Sequence, residues 1–225
     1  MKIVAKKTFD RKVLDVNIEL EEHKIYALIG ANGSGKSTLL KVLSSVINPD
    51  TDSSIDIPFK NDEVYYMPQM PYTFDLSVYN NIKLGIPLKS SPGEKIYCKY
   101  RIDTMLKTID LNQLRKANAQ TLSGGEKQKM ALIRSLVVKH ALLLLDEPTS
   151  AMDINATLKA EELIQKYKEE FDGTIIMATH SIKQAQRLAD VVLFLDEGEI
   201  KEIADAQTFI DHPQSDELKD FLQKI

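Results

Sequence analysis

The stretch Lys24-Ile-Tyr-Ala-Leu-Ile-Gly-Ala-Asn-Gly-Ser-Gly-Lys-Ser37 decides the fold of this 225-residue chain. Its opening, Lys24 to Ile29, is an almost continuous apolar run that suits a strand buried on both faces. The run stops at Gly30. From Lys36 onward Leu39, Leu40, Val42, Leu43 and Val46 lie on a helical stripe, which predicts a helix that stops before Asn48-Pro49. Between strand and helix, Gly30, Ala31, Asn32, Gly33, Ser34 and Gly35 form a loop of the pattern G-x-x-x-x-G-K-S. In that context successive backbone N–H groups point inward and cradle a polyphosphate, helped by the helix N-terminus. Gly33 and Gly35 supply backbone angles that a Cβ would penalise. Lys36 is expected to bridge β- and γ-phosphates, Ser37 to ligate Mg²⁺, and Thr38 to hydrogen-bond phosphate.

Downstream, Ala141-Leu-Leu-Leu-Leu-Asp-Glu147 is an apolar strand carrying two acids at its C-terminal end. Ligands of open parallel sheets bind at that rim. Asp146 there suits a magnesium ligand, direct or through water, and Glu147 the group that polarises an attacking water. His180 follows the strand-like run Thr174–Thr179 and so occupies the same kind of rim position, where it could reach a γ-phosphate. Gln69, after the strand-like Val64-Tyr-Tyr-Met67, stands comparably; spacing alone leaves it equally a surface residue or a contact to metal or water.

Around these points the chain organises itself. Val13–Leu20 alternates apolar and polar, as a half-buried strand does. Asp50–Asp62 is polar and turn-rich, broken by the short alternation Ile55-Asp-Ile57. Residues 77–138 turn helical and charge-rich, with a Pro/Ser/Gly turn at Pro87–Gly93 and an N-cap-like Ser123, and are read as a helical subdomain inserted into a single domain 1–225. Strand-like runs return at Ala141–Leu145, Thr174–Ala178 and Val191–Leu195, with a helix over Ile154–Glu170. The fold class read from this order is α/β: a β-rich start, an α/β core that carries the phosphate loop, a helical insertion and a return to the α/β core.

The formal charge of -4 argues against a nucleic-acid binder, which needs a basic face. The first residues carry too short an apolar run for a secretory signal, and the longest apolar run, Ala141–Leu145, is far short of the ~20 residues of a spanning helix. One cysteine, Cys98, permits no intrachain disulfide and reads as a packed or idle thiol.

Taken with Leu122-Ser-Gly-Gly-Glu126, the set Gly30–Ser37, Gln69, Leu142–Glu147, Ser150-Ala-Met-Asp153 and His180 resembles the motifs of the ATP-binding cassette (ABC) ATPases, in the family's order and approximate spacing. The resemblance implies an α/β fold with a P-loop NTPase core, an N-terminal antiparallel β subdomain and an inserted α-helical subdomain, and ATP and Mg²⁺ as cofactors. It implies that Phe9 stacks on adenine, where the family more often has tyrosine, and that Gln69 senses the metal and a transmembrane partner. Ser123, Gly124, Gly125 and Glu126 match the signature that contacts the γ-phosphate held by an opposite subunit, Asp153 the acid at the dimer seam, Glu147 the catalytic base and His180 the switch histidine. Two departures stand out: Glu126 replaces the commoner glutamine and Met152 the commoner leucine. Nothing in the catalytic set is missing, which implies an active ATPase.

The same resemblance implies a head-to-tail, ATP-dependent pair of copies on a separate transmembrane permease, at the cytoplasmic face of the membrane, with a solute-binding protein acting indirectly and no nucleic acid. Met70-Pro-Tyr-Thr-Phe-Asp-Leu76 reads either as packing under a loop or as a groove for a permease segment. The expected function is powering import of a small polar solute, an oxyanion such as tungstate or phosphate, or an amino acid. The alternative is a soluble, non-transport ABC ATPase acting on a macromolecular complex.

Overall fold

A computed structural model describes residues 1–9, 12–51, 53–56 and 58–224. Two compact units emerge: Met1–Tyr66, Ala141–Glu147 and Gly173–Ile225 form the first, Met67–His140 and Pro148–Asp172 the second.

The first unit is built on strands that need no amphipathic pattern because both faces are covered. β3 (Ile25–Ile29), β6 (Leu142–Asp146) and β7 (Thr174–Ala178) are buried at every position. With β5 (Val64–Met67), β8 (Val191–Asp196) and β9 (Glu199–Asp205) they make a six-stranded sheet in the order β5-β6-β7-β3-β8-β9. β3 pairs in parallel with both β7 and β8, and β6 with β7. The C-terminal ends of β3, β6 and β7 therefore share one rim, which is where the loop glycines, the acid pair and His180 emerge. A second sheet, all antiparallel, orders β1 (Lys2–Phe9), β2 (Lys12–Glu19) and β4 (Ser54–Asp56) as β2-β1-β4. Ile57, read with this strand, lies outside the described residues. Ile3, Val16 and Ile18 of the small sheet join Leu28, Leu144, Ile176 and Leu193 of the large one and Leu39 and Leu40 of α1 (Lys36–Leu43) in one core cluster.

α1 is shorter than its apolar stripe predicts. It ends at Leu43, and Val46 is 62% exposed. Ser45 takes a positive φ of 57°, and the Val46 N–H donates to the Lys41 carbonyl at 2.9 Å, the closure of a left-handed helix stop. β9 also goes beyond the sequence reading. It returns antiparallel on β8 through Glu197-Gly198, both at positive φ, the turn geometry that matches strand twist. Two short helices, α6 (Ile182–Leu188) and α7 (Asp216–Gln223), complete this unit.

The second unit is helical: α2 (Val78–Lys83), α3 (Pro92–Thr108), α4 (Gly124–Leu136) and α5 (Ile154–Phe171). Pro92 and Gly93, expected in a turn, instead open α3. Ser91 and Glu94 close a capping box there, and proline at the first helical position loses no hydrogen bond. Ile82, Ile102, Leu106, Met130, Ile133 and Ile164 fill the interior without exposure. Arg101 ties three helices together: it donates to the Leu136 carbonyl at 2.7 Å, pairs with Glu170 and lies over the Phe171 ring at 4.6 Å. The fully buried Asn81 amide accepts from Phe74 N–H and donates to the carbonyls of Phe74, Leu76 and Ser77, fixing the loop after Gln69.

His140 gives this unit an acid-sensitive point. Burial depresses its imidazole to about 4, partly countered by a hydrogen bond with the Ser135 backbone, while its backbone N–H donates to the buried Tyr167 phenol oxygen at 2.8 Å. An unfolded histidine titrates near ~6.5, so the unfolded chain binds the extra proton first. Stability is then complete above about pH 6.5 and falls as pH drops toward about 4. The expected loss is about 2 kcal/mol at pH 5 relative to pH 7.5. Urea unfolding of wild type and His140→Gln at both pH values checks this: the wild type should lose about that much more stability on acidification than the variant.

Candidate nucleotide site

Gly30, at the end of β3, has φ 152°, Gly33 82° and Gly35 113°, so three of the loop's residues use angles closed to ordinary side chains. The loop is held from within and from the β8–β9 turn: Ser34 N–H donates to Ala31 O at 3.2 Å, and Gly198 N–H to Ser34 O at 2.9 Å. Lys36 is buried, its ammonium donating to the carbonyls of Gly30 at 2.8 Å and Ala31 at 3.0 Å. Burial lowers its pKa, and the charges of Glu147 and Asp146 oppose that shift. A buried cation curled on its own loop is poised for an anion that can replace two carbonyls. Ser34 Oγ is buried without a hydrogen-bond partner, an unmatched donor inside a loop of N–H groups. Ala31, Asn32 and Gly33 are exposed at the loop tip, and Ser37 and Thr38 are half-buried in the first turn of α1.

Asp146, at the end of β6, is 2% exposed and both its carboxylate oxygens are engaged. Ser37 donates to Oδ1 at 2.9 Å, and Tyr66 on β5 donates to Oδ2 at 3.0 Å. Tyr66 is the functional neighbour that sequence reasoning missed; its phenol pKa is raised by burial first and the Asp146 charge second. Glu147 follows at φ 50°, a left-handed conformation unusual for glutamate, with its N–H donating to Ala178 O at 3.0 Å. That turn brings its Oε2 to 2.7 Å from His180 Nδ1. The pair is asymmetric: the Glu147 side chain is 10% exposed and that of His180 64%. His180 is held between two local anchors: the Thr179 hydroxyl donates to Gln184, and Ser181 caps α6. The loop, Asp146, Glu147 and His180 thus converge, as the spacing predicted.

The other predicted residues lie in the second unit, apart from Phe9, which ends β1 and whose ring lies outside the described residues. Gln69 is exposed at the head of its loop. In that loop Met70 is 88% and Tyr72 69% exposed, and Tyr72 packs edge-on to Phe74 at 4.9 Å, so the segment is a surface and not core packing. Ser123 caps α4. Its hydroxyl and N–H both donate to Glu126 Oε2, at 2.7 and 2.8 Å, and these bonds lower the Glu126 pKa. Gly124 and Gly125 open the helix, where backbone N–H groups lack intrahelical acceptors. Asp153 caps α5, accepting from Ala156 N–H at 2.8 Å. Among the described residues no group of three or more His, Cys, Asp or Glu could hold a metal, and no helix is long and apolar enough to cross a membrane.

The profile of the ABC transporter family matches residues 13–150. The molybdate/tungstate import ATP-binding protein WtpC of Pyrococcus horikoshii is 29% identical over 97% of this chain and 65% of its own length. The phosphate import ATP-binding protein PstB of Malacoplasma penetrans is 32% identical over 92% of this chain and 78% of its own length. In fold the chain is similar to an ATP-binding cassette solved as a post-hydrolysis dimer with ADP and Pi, at a TM-score of 0.75 and 24% identity over 92% of this chain and 98% of that one.

Proposed function

The chain belongs to the ABC transporter family and binds ATP, and from that premise we propose that it is the ATP-hydrolysing subunit of an importer, working as a pair of copies on a separate permease. The chain spans just under two thirds of WtpC and more than three quarters of PstB. Both relatives are named for oxyanion import, and the cargo proposed here is an oxyanion of the same chemical class.

One observation carries the reading. At a single sheet rim an oxygen pair, Ser37 Oγ and Asp146 Oδ1 at 2.9 Å, stands beside an acid–imidazole pair, Glu147 and His180 at 2.7 Å, next to a loop with a buried lysine and an unmatched serine hydroxyl. The loop N–H groups and Lys36 hold the phosphates. Ser37 and Asp146 are two hard oxygen donors, the set that fits Mg²⁺ bound jointly with phosphate. When bound, that ion neutralises charge on the β- and γ-phosphates. Tyr66 keeps the Asp146 carboxylate from rotating away. Glu147 accepts a proton from water at its buried carboxylate, and His180 orients that carboxylate while reaching solvent for the γ-phosphate. Phe9 supplies the adenine-stacking ring, and Gln69 reports the metal to the permease. Ser123 and the N-terminus of α4 complete the site of the opposite copy, the Ser123 hydroxyl leaving Glu126 for a phosphate oxygen. Asp153 lies at the seam between copies.

Phosphate release measured against protein concentration tests this. Specific activity should rise with concentration until pairing saturates, require Mg²⁺, and fall about a hundredfold or more in Asp146→Asn. Specific activity independent of concentration from dilute to saturating protein would reject the two-chain site.

A further inference from the structure

The helix that opens on Ser123 and the loop that ends at Asp153 are joined through the side chain of Gln128. Its residue is 2% exposed, one turn into α4. Its Oε1 accepts the Ala151 N–H at 2.8 Å, and its Nε2 donates to Ser150 Oγ at 3.0 Å. The orientation of the amide is fixed, because a backbone N–H can only donate and so must face the oxygen. A second contact is independent of the first: a Cβ on Gly125 would stand 2.7 Å from the Ala151 carbonyl oxygen, so the glycine lets the two backbones touch. Ser150 and Ala151 are themselves exposed, and no capping bond of α5 involves them. Without the amide, the Ala151 N–H and the Ser150 hydroxyl lose their bonds to residue 128, and the loop is held to the helix less tightly.

We propose that Gln128 is a positioning residue that makes Ser123–Glu126 and Ser150–Asp153 one rigid surface for docking a second copy of this chain. This rests on the two-copy reading above. The sense of the clamp is preorganisation: a surface whose two halves are held in advance pays less ordering entropy when the partner and its nucleotide arrive. Only an amide fits the role neatly, since it meets a donor and an acceptor at once, whereas methionine of similar size meets neither.

The test uses a Glu147→Gln background, in which ATP-bound pairs are expected to persist, and measures the dimer dissociation constant by sedimentation. Gln128→Met is expected to weaken the ATP-dependent dimer about tenfold, the equivalent of about one lost buried hydrogen bond. ATP-analogue binding at dilute, monomeric protein should change less than about twofold, because the phosphate loop belongs to the other unit. Ser150→Ala, at an exposed position, should cost less alone and add little to Gln128→Met. An unchanged dimer constant in Gln128→Met, or full additivity with Ser150→Ala, would overturn the proposal. If the Glu147→Gln parent forms no ATP-dependent dimer, the two-copy reading fails first and the inference falls with it.

Discussion

Replacing Glu147 by glutamine is expected to leave ATP binding near the wild-type level, to slow hydrolysis about a hundredfold or more, and to accumulate an ATP-dependent dimer. The geometry explains why the change should be so selective. The turn that carries the residue is anchored by its backbone, through the Glu147 N–H on Ala178 O at 3.0 Å, and glutamine keeps that bond. The amide also fills the same space beside His180 and can accept from its ring. What it cannot do is accept a proton from water, and general-base catalysis is worth about 10²–10⁴-fold. The phosphate loop, with its own donors and Lys36, is untouched, so binding survives the loss of turnover. Phosphate release and sedimentation with ATP, run side by side, decide the matter. Wild-type turnover in the variant would remove Glu147 from the chemistry, and lost binding would show the glutamate to be structural. His180→Ala makes a useful contrast, since it removes the partner at 2.7 Å but leaves the carboxylate, and should cost less than the loss of the base itself.

How much of this site was legible in the chain depends on where each residue finds its partners. β3, β6 and β7 are buried on both faces, so their sequences are plain apolar runs, and their ends mark the rim almost to the residue. The loop, the acid pair and His180 each follow such a run, which is why spacing alone brought them together. Tyr66 was invisible because its role comes from Asp146, 80 residues on, and within a four-residue apolar strand a tyrosine reads as filler. Gln128 was hidden for a similar reason: a polar residue on a charged helix looks solvated until Ser150 and Ala151 arrive from a loop more than twenty positions away. β9 is an edge strand with a register shift opposite Phe194 and Leu195; it buries Glu202, packs Ile200 against the core and leaves Ile203 49% exposed, so no clean alternation forms. The end of α1 misled in the opposite direction, because Val46 continues a helical stripe that the backbone abandons at Ser45. Local pattern reports local burial; contacts made at long range leave little trace in it.

Gly30 is packed far more tightly than Gly35 in the same phosphate loop, where a Cβ would come no nearer than 3.2 Å to a side-chain atom, and Gly30→Ala should show it. A Cβ there would stand 2.0 Å from the Leu195 carbonyl oxygen and 2.9 Å from Ser34 Oγ, while the backbone sits at φ 152°. Neither neighbour can yield cheaply. Leu195 is an unexposed residue of β8, paired to its neighbours in the sheet, and Ser34 is buried in the loop and held through its carbonyl by Gly198. The methyl group therefore meets steric overlap and backbone strain together, a combination expected to cost on the order of 4 kcal/mol or more. Gly93 is the matched control. It lies within α3, a Cβ there meets nothing within 4 Å, and alanine should be neutral or stabilise by up to about 1 kcal/mol. Chemical unfolding of the two variants beside wild type makes the comparison. A Gly30→Ala chain as stable as wild type would mean that the loop approaches β8 less closely than 2.0 Å implies, and the tight seat of the phosphate loop on the sheet would have to be abandoned. A chain that folds but no longer binds ATP would instead locate the strain in the loop alone, with β8 holding its place.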